Sequence, residues 1–183
     1  REARHLKLFK YLRLSRKKRR KRCGRKTQRV LIPDRVWITE RAKEIDARKE
    51  IGHWEADSVM FSKQKSALFV QMERCSRYLM ATKMRRKTSS QVQNIFTGKF
   101  AKLPEDLRKS TTVDNGSEFI DHLKITHAMN LPFYFCHPYS SWEKGGVENA
   151  NGLIRQYLPR SIKIWRVPQR QVDRIINQIN NRP

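Results

Sequence analysis

Short apolar segments separated by polar breaks recur along most of the chain, and their period distinguishes strands from helices. Five segments are short, rich in aromatic or β-branched residues and bounded by polar or turn-forming residues, a pattern typical of strands. These predicted strands cover residues 53–61, 66–73, 77–84, 110–114 and 132–136. Polar breaks among the first three suit antiparallel hairpins.

Apolar residues recur at helical spacing in several other segments of the chain. Within residues 88–103 apolar side chains recur at i, i+3, i+4, i+8 and i+11, and Pro104 follows as a stop signal. Further helices are predicted over 3–14, 118–129, 147–157 and 172–179, with a short one inside 35–52 that ends near Gly52. Three strands, a helix, a strand, a helix, a strand and more helices predict an α/β domain built on a mixed sheet.

Positive charge is concentrated at the start of the chain. The formal net charge is +24, and fifteen of the first thirty residues are Lys or Arg against the single acid Glu2. A polyanion is the expected partner, and the absence of a strongly apolar helix face favours nucleic acid over a membrane surface. A solvated linker or a nuclear localisation signal are alternative interpretations. The residues expected to bind phosphates are Lys17, Lys18, Arg19, Arg20, Lys21 and Arg22.

Other compositional features exclude several classes of protein. No apolar run approaches the roughly 20 residues that a membrane-spanning helix needs, so no membrane partner is expected. The three cysteines are Cys23, Cys75 and Cys136, and their wide spacing predicts reduced thiols in the cytoplasm rather than disulfides or structural zinc. The chain starts at Arg1 and is expected to be part of a longer protein.

The segment "STTVDNGSEF", residues 110–119, places an acid at the end of a predicted strand. Asn115 and Gly116, which follow Asp114, are turn-forming residues. One interpretation is an Asx-turn, in which the Asp114 side chain only accepts a hydrogen bond from the backbone two residues on. The other is that the strand delivers a carboxylate to a functional site.

Two further acids occupy comparable positions and favour the second interpretation. Asp57 lies in the first predicted strand, and Glu148 lies one residue into a predicted helix after the loop 137–146. Hard cations such as Mg²⁺ prefer carboxylate and phosphate oxygens. A pair of them can activate a hydroxyl nucleophile and stabilise the leaving oxygen of phosphoryl transfer. Asp57, Asp114 and Glu148 are therefore predicted to form one metal site.

The segments "GHWEAD" (52–57), "TVDNGSEF" (112–119) and "HPYSSWEKGGVENANGLIRQYLPR" (137–160) resemble the DDE transposases of the insertion-sequence-thirty family. That family belongs to the ribonuclease H-like group that includes retroviral integrases. The resemblance implies a ribonuclease H-like mixed sheet flanked by helices over 35–183, truncated at its C-terminal end. Residues 1–34 are expected to be a basic extension that joins it to a DNA-binding region.

The resemblance also implies a metal-dependent polynucleotidyl transferase that cuts and joins DNA at insertion-sequence ends, with Mg²⁺ or Mn²⁺ as cofactor. Asp57, Asp114 and Glu148 match the catalytic acids, while Arg155 and Lys144 are expected to contact DNA. Double-stranded DNA, as element end and target, is the implied partner. The resemblance further implies a homo-oligomer in the DNA complex and a cytoplasmic location at the bacterial nucleoid.

Two alternatives remain open at the level of the sequence. A non-catalytic nucleic-acid-binding protein would use the basic segment and keep the acids for structure. A ribonuclease H-type nuclease would only hydrolyse its substrate. The complete set of acids favours an enzyme, and the basic segment favours transposition.

Overall fold

The computed structural model describes residues 32–182. The predicted helix at 3–14, the cysteine at 23 and the six basic residues 17–22 lie outside the described residues. Within the described part, no helix has both the length and the apolar character that crossing a membrane requires.

The core of the fold is a six-stranded mixed sheet. Its strands are β1 (Val36–Trp37), β2 (His53–Met60), β3 (Ala67–Glu73), β4 (Leu79–Met84), β5 (Ser110–Val113) and β6 (Phe133–Phe135). They are ordered β1-β6-β5-β2-β3-β4. The pairs β2–β3 and β3–β4 are antiparallel hairpins, as the polar breaks predicted, whereas β2–β5, β5–β6 and β6–β1 are parallel.

The register of β2 against β5 decides where the predicted site residues lie. His53 is opposite Ser110 and Glu55 is opposite Thr112 in this parallel pair. Continuing the same offset by two residues brings Asp57 level with Asp114, directly after β5. Because paired residues of neighbouring parallel strands lie side by side, the two acids meet although they are distant in sequence.

Helices cover both faces of the sheet. Helices α2 (Ser89–Gly98) and α3 (His122–Met129) pack on one face, where Phe69, Phe96 and Phe119 belong to a common buried cluster. Helices α4 (Gly145–Tyr157) and α5 (Gln169–Asn180) pack on the other face, in a second cluster. Asp57 and Glu55 share the face that α4 covers, because alternate residues of a strand point the same way. The predicted mixed sheet flanked by helices is confirmed.

Two local predictions were wrong. The helix expected to end near Gly52 is a single turn, α1 (Lys43–Asp46), preceded by the short strand β1. The pattern failed because β1 is only two residues long and gives no period. The helix predicted over 88–103 ends at Gly98 and continues as a 3-10 turn at Phe100–Lys102. Cys75 and Cys136 are free thiols, as expected.

Candidate active site

Asp57 and Asp114 share one cation. The Nζ atom of Lys144 lies 3.0 Å from Oδ1 of Asp57 and 3.2 Å from Oδ2 of Asp114. The lysine side chain is 8% exposed, so its ammonium lies inside the protein rather than on the surface. The two aspartates are therefore close enough to hold a positive charge between them.

The electrostatic balance at Lys144 favours its charged form. Burial alone would lower the pKa of this lysine, but the negative charges of Asp114 and Asp57 outweigh burial and raise the pKa to about 12 from 10.5. Lys144 is thus a protonated internal cation at neutral pH. Its expected role as a DNA contact is not visible in this arrangement, since the ammonium is engaged with the two acids.

Asp114 combines both interpretations of its sequence context. Its Oδ1 atom accepts a hydrogen bond from the backbone N–H of Gly116 at 3.1 Å, which is the Asx-turn, and its Oδ2 atom faces Lys144. The neighbouring Asn115 donates from Nδ2 to the carbonyl of Cys136 at 2.6 Å, which fixes the turn to the end of β6. The turn therefore orients the Asp114 carboxylate towards the site.

Glu118 lies against this turn, beside Gly116. Its side chain is fully buried, and Lys87 Nζ lies 2.8 Å from its Oε1 atom, an ion pair without good hydrogen-bond alignment. A Cβ atom on Gly116 would come within 2.2 Å of Oε2 of Glu118. A side chain at position 116 would therefore have to displace this buried carboxylate.

Glu148 lies in the first turn of α4, where its side chain is exposed. The helix begins at Gly145, two residues earlier than the sequence predicted. About one turn after Glu148, Asn151 donates from Nδ2 to Oδ2 of Asp57 at 2.7 Å. The helix that carries Glu148 is therefore attached directly to Asp57.

Arg155 lies further along α4, on the side of β2. Its guanidinium carbon is 4.5 Å from the centre of the Phe61 ring, and Nη2 donates to the backbone carbonyl of Met60. Burial, and secondarily the charge of Arg160, lower the pKa of Arg155 to about 10, so the side chain remains charged at neutral pH. The Arg155 side chain is half-buried against the end of β2.

Glu55 is fully buried beneath α4. Its Oε1 atom accepts from Nη1 of Arg74 at 2.8 Å, and its Oε2 atom accepts from the backbone N–H of Val147 at 2.9 Å. Glu55 shares a face with Asp57, as the strand period indicates, but both of its oxygens are engaged.

The loop before α4 exposes a large aromatic side chain. Trp142 is 75% exposed, so it does not anchor the loop by packing into the protein. The loop is closed instead by Glu143, whose two oxygens bond the backbone N–H and the ring Nδ1 of His137 at 2.7 and 2.8 Å. The His137 ring stacks on the Trp37 ring, with 5.4 Å between the two ring centres.

Within residues 32–182, no three His, Cys, Asp or Glu side chains are grouped closely enough to enclose a metal ion by themselves. Asp57 and Asp114 are brought together, and Glu148 lies on the attached helix with its side chain exposed. The sequence did not assign the internal role of Lys144 or the contact made by Asn151. The available signal was spacing: Asn151 lies three residues after Glu148 on the same side of the predicted helix, and Lys144 lies four residues before Glu148, just ahead of the helix.

This sheet topology with helices on both faces is that of a ribonuclease H-like fold. One acid lies on a central strand, one at the end of the adjacent parallel strand and a third on α4, after β6. Residues 47–141, just over half of the chain, match the integrase core domain family. The chain belongs to that family. Glu148 lies beyond the matched range.

Several transposases of insertion sequence elements are similar to this protein over most of the chain. The transposase InsI of insertion sequence element IS30A from Escherichia coli (strain K12) is 40% identical over 186 residues, which cover 100% of this chain and 48% of the relative. The transposase of insertion sequence element IS1086 from Cupriavidus metallidurans is 38% identical over 94% of this chain and 51% of its own length. These similarities confirm the resemblance to the insertion-sequence-thirty family. The chain spans about half the length of these relatives.

The fold is also similar to a solved integrase. The catalytic core domain of BIV integrase superimposes with a TM-score of 0.55 and 17% sequence identity, covering 72% of this chain and 84% of that one. At this identity the likeness concerns the fold. It confirms the ribonuclease H-like architecture.

Proposed function

We propose that this chain is the catalytic core of a DNA transposase that cuts and joins DNA strands at the ends of an insertion sequence. Membership of the integrase core domain family and the names of the relatives support this function. The observation that carries it is the arrangement of Asp57 and Asp114 around one internal cation, with the Glu148 helix attached to Asp57.

The residues at the site fit a divalent cation. Asp57 and Asp114 already share a positive charge, the Lys144 ammonium, which stands in for a cation between carboxylate oxygens. Asp57, Asp114 and Glu148 would hold Mg²⁺, with Mn²⁺ as a substitute, because carboxylates are the ligands these ions prefer. When bound, such ions activate an attacking hydroxyl and stabilise the leaving oxygen of an in-line phosphoryl transfer.

The chain's own side chains prepare this site. Asn151 donates to Oδ2 of Asp57 and holds that carboxylate in one orientation. The Asx-turn at Gly116 holds Asp114 in the same way. The ammonium of Lys144 keeps the two carboxylates together despite their mutual repulsion.

DNA is the proposed substrate and partner. The net charge of +24 favours binding of a polyanion, and Lys17, Lys18, Arg19, Arg20, Lys21 and Arg22 would add affinity that does not depend on sequence. Arg155 and Lys144 would contact DNA near the scissile phosphate, Lys144 after leaving the two acids. Residues 35–183 would form the core and 1–34 the basic linker.

A homo-oligomer is proposed for the DNA complex, because two element ends have to be joined to one target. The bacterial origin of the transposase relatives supports a cytoplasmic location at the nucleoid.

The experiment compares Asp57→Asn, Asp114→Asn and Glu148→Gln with wild type in the full-length protein, using DNA that carries its own element ends. Each variant is expected to bind DNA normally and to lose cleavage and strand transfer by orders of magnitude, because the site loses a negative charge. Asp121→Asn, which removes an acid paired with Lys124 outside the site, serves as control.

Activity is expected with Mg²⁺ or Mn²⁺ and not with Ca²⁺, whose coordination is looser. Wild-type strand transfer by a folded variant would remove that residue from the site. Cleavage without any joined product would favour the nuclease, and DNA binding without cleavage by wild type would favour the non-catalytic binding protein.

A further inference from the structure

Glu55 is a buried acid that the proposed metal site does not use. Its side chain is 0% exposed, and its partner Arg74 is nearly as buried. Arg74 extends the network to Asp46, 3.3 Å away. Asp46 also pairs with Arg41, whose Nη1 donates to Thr112 of β5 at 2.8 Å. One oxygen of Glu55 is thus fixed by a network that links β2, β3, α1 and β5.

The other oxygen of Glu55 caps helix α4. The first N–H groups of a helix have no partner within the helix and need an acceptor from elsewhere. The side chain of Lys144, the residue before the helix, does not supply this acceptor. Oε2 of Glu55 accepts the N–H of Val147, the residue directly before Glu148, and its negative charge suits the positive end of the helix dipole.

Two attachments of α4 to β2 have matching spacings. Glu55 and Asp57 are two residues apart on a strand, roughly 7 Å. Val147 and Asn151, which bond them, are four residues apart on a helix, about 6 Å. The pair of bonds therefore fixes both the rotation and the axial position of α4 on β2, and Glu148 lies between the two attached residues.

The sequence permits this close approach through Gly146. A Cβ atom at that position would lie 2.2 Å from Cε of Met72 and 2.9 Å from Oε2 of Glu55. The adjacent Gly145 has nothing within 4 Å of the same atom. The contact of Glu55 with the helix start is therefore specific to one side of the first turn.

We propose that Glu55 is a positioning residue, which docks α4 on β2 and thereby sets Glu148 towards Asp57 and Asp114. The inference rests on the proposed function of these three acids. Glu55 acts through the helix, since both of its oxygens are engaged with Arg74 and Val147. Its removal should loosen the third metal ligand without removing any of the three.

A buried ion pair that only stabilises the fold would behave differently. Losing it would lower the melting temperature, but the metal affinity of the molecules that remain folded would not change. The control Glu73→Gln removes the charge of another buried sheet acid. Its oxygens accept hydrogen bonds from the backbone N–H groups of Gly52, Cys75 and Ser76, none of which lies on α4.

The experiment measures Mn²⁺ binding to the full-length protein without DNA, by electron paramagnetic resonance of free Mn²⁺, and the Mg²⁺ concentration for half-maximal DNA cleavage. Glu55→Gln is expected to raise both midpoints about five- to tenfold, with cleavage recovering at high metal concentration. Glu73→Gln is expected to leave both midpoints at the wild-type value.

A second pair of variants covers the case in which Glu55→Gln does not fold. Gly146→Ala should displace the start of α4 and raise both midpoints, whereas Gly145→Ala should not. Wild-type midpoints in Glu55→Gln or, if it does not fold, in Gly146→Ala would overturn the proposal, as would equal shifts in a variant and its control. A wild type that binds no Mn²⁺ and cleaves no DNA would instead overturn the proposed function, and the inference with it.

Discussion

Replacing Lys144 with methionine removes the ammonium that Asp57 and Asp114 share and keeps a side chain of comparable length. A cation held by the same two carboxylates must first displace this ammonium from its contacts at 3.0 and 3.2 Å. We therefore expect Lys144→Met to bind divalent metal more tightly than wild type, because a competitor is gone.

The size of the effect follows from the charge balance at the lysine. Its pKa is about 12 in the folded protein against 10.5 ordinarily, a difference that corresponds to about 2 kcal/mol. Since the pKa is raised, this stabilisation is fully present at neutral pH and is lost only as pH rises from about 10.5 through 12. Full release of the ammonium on metal binding would make the variant bind metal about thirtyfold more tightly.

Isothermal titration of Mn²⁺ at pH 7, without DNA, measures the affinity directly. Lys109→Met is the matched control, because it removes an ammonium 2.6 Å from the Glu50 carboxylate, outside the pair of aspartates and the turn at Gly116. Its Mn²⁺ affinity should equal that of wild type. If folded Lys144→Met bound Mn²⁺ no more tightly than wild type, the lysine and the metal would not compete for Asp57 and Asp114.

Three further changes test other parts of the site. Gly116→Ala should lower the free energy of unfolding by about 1–3 kcal/mol in chemical denaturation and also lower cleavage, because its Cβ would overlap Glu118. The control Gly98→Ala, which has open space around it, should not destabilise the fold. Arg155→Ala should weaken binding of element ends and strand transfer with Mn²⁺ affinity intact; normal activity at every DNA concentration would exclude it. Glutamine at 17–22 should flatten the dependence of DNA affinity on salt by several units of slope, and an unchanged slope would exclude this segment.

The sequence was sufficient for the fold class and for selecting Asp57 and Asp114, which the structure brings together. The catalytic role of these two acids and of Glu148 stays a prediction. Strand ends could be read from the change between apolar runs and turn residues, as at Asp114. The pairing of β2 with β5 could not be read from the sequence, because parallel pairing is a long-range property and no local pattern specifies the register. The resemblance to a known family supplied what the periodicity could not.

The interior of the site was less accessible from sequence. Lys144 lies in a loop rich in polar residues, where a lysine is normally on the surface. Its burial depends on two acids that are 87 and 30 positions away. That Glu55 shares a face with Asp57 follows from the period of a strand. Its attachment to Val147 depends on the packing of α4, which no pattern along the chain encodes.

The most direct test of the proposed metal site is the anomalous diffraction of Mn²⁺ in crystals of the protein with its DNA ends. The expected result is an anomalous peak about 2.1 Å from carboxylate oxygens of Asp57 and Asp114, with Glu148 in the same coordination shell and Lys144 displaced. A complex that cuts DNA in solution but places Mn²⁺ on other residues, or leaves Lys144 between the two aspartates, would contradict it.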